Sequence, residues 1–227
     1  MIDLSKIKYP AISPSLLSAS KDRMDKELSV AMKAEAPFIH IDIMDGIFVP
    51  NVSLSIKFVG DIKPKHNMIS DVHIMVADPI NWVEGLVKNG ADIITFHYEA
   101  CSTKEEILGL MDLIHKNNVL CGISIKPNTP VEVLLPFINL VDIVLLMSVE
   151  PGKGGQKFIE SSLKRMESIR KMIRDNKSKA LIEVDGGINN ETAPKALNSG
   201  ADILVAGSYL FGHEDFVERA KGLINGN

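Results

Sequence analysis

The chain has 227 residues, and its 25 Lys and Arg stand against 29 Asp and Glu for a formal net charge of −4. At 45% hydrophobic and 24% charged it has the balance of a globular protein, which excludes disorder as a dominant theme. The acidic balance, with a pI of about 5.9, lacks the basic footprint of a general nucleic-acid binder but leaves room for a local anion pocket.

Targeting signals are not legible. The opening MIDLSKIKYP lacks the apolar core of a signal peptide. The most apolar stretch, Leu134 to Val149, is 16 residues long and contains Pro136, Asn139 and Asp142. That is too short and too polar for a bilayer, which takes about 20 apolar residues, so no membrane partner is expected. Cys101 and Cys121 make no disulfide framework and read as reduced thiols of a cytoplasmic protein.

Short Ile- and Val-rich runs recur along the chain, each bounded by Gly, Pro, Asn or Asp. They predict strands at Ala11–Leu16, Phe38–Met44, Ile69–Met75, Asp92–His97, Val119–Ile125, Val141–Met147, Ala180–Asp185 and Asp202–Ala206. Helical patterns lie between them. Lys21–Glu35 has Ser20 as its expected cap, and Pro79–Lys88 has Asp78, with Pro79 at the first helical position. Lys104–Lys116, Glu160–Asp175 and Glu191–Asn198 follow. Strands alternating with helices predict a parallel sheet, since each parallel pair needs a long crossover. Eight such units fill residues 1–227, so a single (β/α)₈ barrel domain is expected rather than a doubly wound sheet.

Side chains alternate across a strand. In HIDIM, His40, Asp42 and Met44 share one face and Ile41 and Ile43 the other. The apolar face must pack on helices, so the polar face must point into the barrel, where buried charges need partners. DVHIM repeats the pattern with Asp71, His73 and Met75, and Glu183 and Asp185 share a face of the seventh strand. Each segment ends where a strand becomes a loop, the end of a barrel where active sites are built. His40, Asp42, His73 and Asp185 are therefore expected to converge, as a ligand set suited to Zn²⁺, Fe²⁺ or Mn²⁺.

Glycines form the second constellation. Gly186 and Gly187 follow the seventh strand; Gly207 and Ser208 follow the eighth and precede an expected helical turn at Tyr209–Phe211. Loops at these two places commonly bind phosphate through backbone N–H groups. Gly152, Lys153, Gly154 and Gly155, after the sixth strand, are an expected third wall or mobile lid; the spacing is not that of a P-loop.

Beyond these patterns, the chain resembles the ribulose-phosphate 3-epimerases. The matching stretches are SPSLLSA from Ser13, HIDIMDGIFVPN from His40, DVHIMV from Asp71, TFH from Thr95, VEPGKGGQKFI from Val149, EVDGGIN from Glu183 and VAGSYLFG from Val205. The resemblance implies a (β/α)₈ barrel that interconverts D-ribulose 5-phosphate and D-xylulose 5-phosphate. It implies one divalent metal per chain, zinc first, with iron, manganese or cobalt as alternatives. It assigns His40, Asp42, His73 and Asp185 as metal ligands, and Asp42 and Asp185 also as the catalytic acid–base pair. Ser15 and His73 would touch the substrate. Gly152 to Gly155, Gly186, Gly187, Gly207 and Ser208 would line the substrate and its phosphate, over a floor of Met44, Met75 and Met147. The departure is Lys153, where the family usually places Phe over the substrate. A homo-oligomer is expected. An epimerase for a six-carbon ketose phosphate, such as allulose 6-phosphate, uses the same chemistry in a longer pocket. A metal-dependent hydrolase on the same barrel is the alternative class, but two His spaced by one residue on the first strand are absent.

Overall fold

A computed structural model describes residues 2–225. Eight parallel strands form one sheet: β1 (Ala11–Pro14), β2 (Phe38–Met44), β3 (Ile69–Met75), β4 (Ile93–His97), β5 (Leu120–Ile125), β6 (Ile143–Met147), β7 (Leu181–Asp185) and β8 (Ile203–Ala206). Their order runs β1-β8-β7-β6-β5-β4-β3-β2, and one parallel bridge between Ser15 and His40 joins the two edges. The sheet thus closes into the expected (β/α)₈ barrel, with its seam between β1 and β2.

Among the described residues seven α-helices surround it: α1 (Met24–Lys33), α2 (Ile56–Ile62), α3 (Ile80–Lys88), α4 (Lys104–Lys116), α5 (Ser161–Asp175), α6 (Ala193–Asn198) and α7 (Phe216–Asn225). Each buries a stripe at helical spacing, as with Ile107, Leu110, Met111 and Ile114 of α4, against outward strand residues such as Ile39, Ile41 and Ile43. Between β5 and β6 the helix is reduced to a 3₁₀ turn, Val131–Leu134, bracketed by Pro130 and Pro136.

The strand patterns predict β2 and β3 to the residue. The two caps are a different matter. Ser20 makes no capping bond, a 3₁₀ turn covers Lys21–Arg23, and α1 starts only at Met24. Asp78 spends Oδ2 on the side chain of Asn81, 2.6 Å away, and Pro79 enters α3 with no side-chain cap. At Asp78 a neighbouring amide takes the capping oxygen, and at Ser20 the first turn is 3₁₀ rather than α. At Gly207, hydrogen bonds to its carbonyl from the Leu210 and Phe211 N–H groups close the expected helical turn. Helices α2 and α7 were not predicted. α2 is short and contains Gly60, while α7 has a plain apolar stripe of Phe216, Ala220 and Leu223.

Inside the barrel, side chains form layers. Ala11, Phe38, Ile69, Ile93, Leu120, Ile143 and Ile203 close the N-terminal end, against Ile2, Leu4, Ile7 and Tyr9 of the leading segment. Above them the strand register pairs His40 with Asp71, Asp42 with His73 and Met44 with Met75. The barrel therefore turns polar toward the C-terminal ends of its strands.

Candidate active site

Ligand atoms of His40, Asp42, His73 and Asp185 lie within 4.8 Å of one another. The four residues expected to converge do so, from β2, β3 and β7. His40 and His73 have no exposed surface. Alternation places them inward, and parallel register carries two neighbouring strands to the same height.

Two imidazoles are oriented from behind. His40 Nδ1 is 2.6 Å from Asp71 Oδ2, which also accepts from the Ser13 hydroxyl at 2.9 Å. That leaves His40 Nε2 aimed at Asp42 Oδ1, 3.4 Å away and beyond hydrogen-bonding reach. His73 Nδ1 is 3.2 Å from the same Asp42 oxygen, and the other oxygen accepts from Ser15 Oγ at 2.8 Å. Two imidazole nitrogens converging on one carboxylate oxygen, with a second carboxylate at hand, form a donor set that fits a divalent cation. The rear carboxylate on His40 is the outer partner such ligands use.

Burial disfavours charge on His40, yet the carboxylates of Asp71 and Asp42 outweigh it and hold the imidazole well above its usual range. A cation would displace its Nε2 proton. Burial likewise works against ionisation of Asp42, but the charge of His40 and the hydrogen bond and charge of His73 hold it well below the usual carboxylate range. Asp185 goes the other way: burial, then the charge of Asp42, push it up to about 6. The two aspartates at the cleft are thus driven apart, one ionised and one able to hold a proton. Below them Glu183 is raised well above its usual range by burial and by Asp71.

A cleft opens over this cluster. Ser15, Met44, Met75, Met147, Gly152, Lys153, Gly154, Gly155, Gly186, Gly187, Gly207 and Ser208 all line it. His73 does not; it is buried beneath the cleft, so of the expected substrate contacts it alone lies out of reach of the open surface. Backbone approaches closely at two glycines. A Cβ on Gly187, whose φ is +66°, would lie 2.4 Å from the Phe158 nitrogen, and one on Gly207 would lie 2.6 Å from Ser18 Oγ. The loop after β6 is braced by the Gln156 amide, which donates to the carbonyls of Glu150 and Lys153, and by Asn51, which donates to that of Gly152.

Sequence reasoning gave no role to Asp71, His97 or Glu99. His97 Nε2 is 2.9 Å from His73 Nε2, and its Nδ1 is 3.2 Å from Glu99 Oε2. Burial lowers His97 to about 4, so it is neutral at neutral pH. Glu99 falls to about 2, because bonds from His97 and Thr129 overcome its burial. Alternation along β4 was the signal: it puts Thr95 and His97 on the inner face.

A parallel barrel with opposed carboxylates and imidazoles at the C-terminal ends of its strands defines a (β/α)₈ enzyme equipped for acid–base chemistry. Residues 11–211 match the model of the ribulose-phosphate 3 epimerase family, and the chain belongs to that family. It is 40% identical over 205 residues to the ribulose-phosphate 3-epimerase of Bacillus subtilis, covering 90% of this chain and 93% of that one. Against the chloroplastic ribulose-5-phosphate-3-epimerase of Arabidopsis thaliana the identity is 38% over 212 residues, covering 93% and 75%. The chain is accordingly an epimerase, as the resemblance implied. Solved structures share the fold. The tryptophan synthase α-subunit of Pyrococcus furiosus superposes with a TM-score of 0.69 at 14% identity, covering 95% of this chain and 98% of that one. A 3-hexulose-6-phosphate synthase gives 0.63 at 20%, covering 94% and 96%.

Proposed function

We propose that the chain interconverts D-ribulose 5-phosphate and D-xylulose 5-phosphate by proton transfer between two aspartates. The observation that carries this is the meeting of Asp42 and Asp185, from β2 and β7, with two imidazoles in one cleft; their opposite pKa displacements agree with it. Inverting a carbinol carbon beside a carbonyl requires a proton removed on one face and returned on the other. Asp42, held ionised, is the base; Asp185, which retains a proton up to about pH 6, is the acid, and the roles exchange in the reverse direction. His40, Asp42, His73 and Asp185 would hold a divalent cation, zinc first with iron, manganese or cobalt as alternatives, which would supply stabilisation of charge developing on the carbonyl oxygen.

Other residues position and exclude. Ser15 donates to Asp42 and fixes that carboxylate at the seam of the barrel. Met44, Met75 and Met147 give the cleft a water-excluding, polarisable floor. Backbone N–H groups near Gly187, Gly207 and Ser208 hold the phosphate, and the Gly152–Gly155 loop covers the sugar. A Val at Gly207 would block that approach and raise KM.

The test pairs epimerisation assays on pentulose and hexulose phosphates with metal analysis of protein purified without chelator. Higher kcat/KM for the pentulose, with about one divalent ion per chain, is expected. Preferred turnover of the hexulose would overturn the substrate assignment, and full activity in metal-free protein would overturn the cation's role.

A further inference from the structure

We propose that His97 and Glu99 fix the tautomer of His73, and so set how tightly the site holds its metal; this rests on the reading of His73 as a ligand. Three polar side chains form a line leading away from the cleft. His73 Nε2 faces His97 Nε2 at 2.9 Å, and one proton must lie between these nitrogens. Geometry decides which one owns it. His97 Nδ1 faces Glu99 Oε2 at 3.2 Å, and an ionised carboxylate only accepts. His97 therefore donates from Nδ1, and in its neutral form presents a bare Nε2. His73 must then carry its proton on Nε2. Its Nδ1 lies 3.2 Å from Asp42 Oδ1, on the side of the cluster, and a cation there would displace any proton shared with that carboxylate and leave Nε2 as the protonated nitrogen.

The far end of the line is anchored. Glu99 Oε1 accepts from the Lys126 N–H at 2.8 Å and from the Thr129 hydroxyl. Phe48 packs on the His97 ring with centroids 4.9 Å apart. His97 itself has no exposed surface, so water cannot replace either partner. A ligating histidine generally has its second nitrogen held by an outer group, and losing that group typically weakens metal binding about 10–100-fold. His40 has this support directly from Asp71. His73 receives it through an intervening imidazole.

Glu99→Gln reads the chain most sharply. Oε1 already serves two donors, so the new amide keeps its oxygen there and turns its NH₂ toward His97. His97 Nδ1 must then accept, Nε2 must donate, and His73 is forced to carry its proton on Nδ1, the wrong nitrogen for a ligand. His97→Gln keeps an acceptor near His73, whereas His97→Leu removes it.

The experiment has two readouts. Long-range ¹H–¹⁵N spectra of metal-free protein should place the His97 proton on Nδ1 in the wild type and on Nε2 in Glu99→Gln. Zinc affinity, measured against a chromophoric chelator, should fall about 10–100-fold in His97→Leu and Glu99→Gln and only a few-fold in His97→Gln. If His97→Leu fails to fold, the half-buried Glu99→Gln decides alone. A wild-type His97 protonated on Nε2 would overturn the inference, as would zinc held equally by wild type and Glu99→Gln. Failure of the wild type to bind zinc would overturn the metal reading itself, and this inference with it.

Discussion

At the N-terminal end of the strands, Phe38, Ile69 and Ile93 fill the barrel; two residues further along the same strands stand His40, Asp71 and Thr95. Both layers are buried, but only the first is chemically at ease. In the upper layers His40 Nε2, Asp71 Oδ1, Thr95 Oγ1, Ser124 Oγ and both oxygens of Glu183 are buried with no hydrogen-bond partner. An unsatisfied buried polar group costs about 1–3 kcal/mol. The apolar floor and the outer helix-packed core therefore stabilise a mouth that is unfavourable alone, and the mouth is preorganised because its charges have nowhere else to go.

The comparison breaks most visibly at the two aspartates. Asp42→Asn and Asp185→Asn should each lower kcat about 10²–10⁴-fold, the usual loss for a general acid or base. Their stabilities should differ. Asp185→Asn removes a carboxyl that repels Asp42, so Tm should hold or rise. Asp42→Asn strips His40 and His73 of their countercharge, so Tm should fall. Unimpaired turnover in either variant would end the two-aspartate mechanism.

Phe38→Ala makes the complementary break. Phe38 is fully buried in the floor, and such a truncation costs about 3–5 kcal/mol, read from urea unfolding. The molecules that remain folded should keep kcat near the wild-type value. A parallel loss of kcat would show that the two ends are not independent.

Why was the mouth more legible than its supports? HIDIM and DVHIM advertise their inner faces because each polar residue alternates with Ile or Val, and strand ends are where a barrel builds its site. Alternation gives a face but not a depth. Nothing in the spacing says that Asp71 sits at the height of His40, or that His97 reaches His73, since both meetings depend on register between strands. Ser20 and Asp78 failed for the reverse reason, since a local preference yielded to a 3₁₀ turn and to a neighbouring amide.

A smaller effect appears with pH in metal-free protein. The folded-state pKa of Asp185 is about 6, above the ordinary 3.8. A raised acid adds stability that is fully present below the ordinary value and lost as pH rises through the folded one. Its contribution should thus fade between about pH 4 and 6, by at most roughly 2–3 kcal/mol at ~1.4 kcal/mol per unit, less for the part of the side chain that water reaches. The stability difference between wild type and Asp185→Asn isolates this slope. A flat difference across that window would mean the carboxyl ionises normally.

The weakest effect belongs to Lys153, the residue at the mouth least held by the barrel. It is exposed, lines the cleft, and lies in a loop braced through its own carbonyl by Gln156. An ammonium on a flexible four-carbon stem acts as a point charge toward phosphate. Exposed charges are screened beyond about 10 Å at 0.1 M salt, so the contact counts only when the loop closes over the ligand. Exposed ion pairs contribute at most about 1 kcal/mol, so Lys153→Ala should raise KM by no more than about fivefold and flatten its dependence on salt. Lys153→Phe should keep or improve kcat, by restoring an apolar cover, while also making KM less sensitive to salt. Should Lys153→Ala leave KM and its salt dependence unchanged, the lysine is solvated at every stage and the loop closes without it.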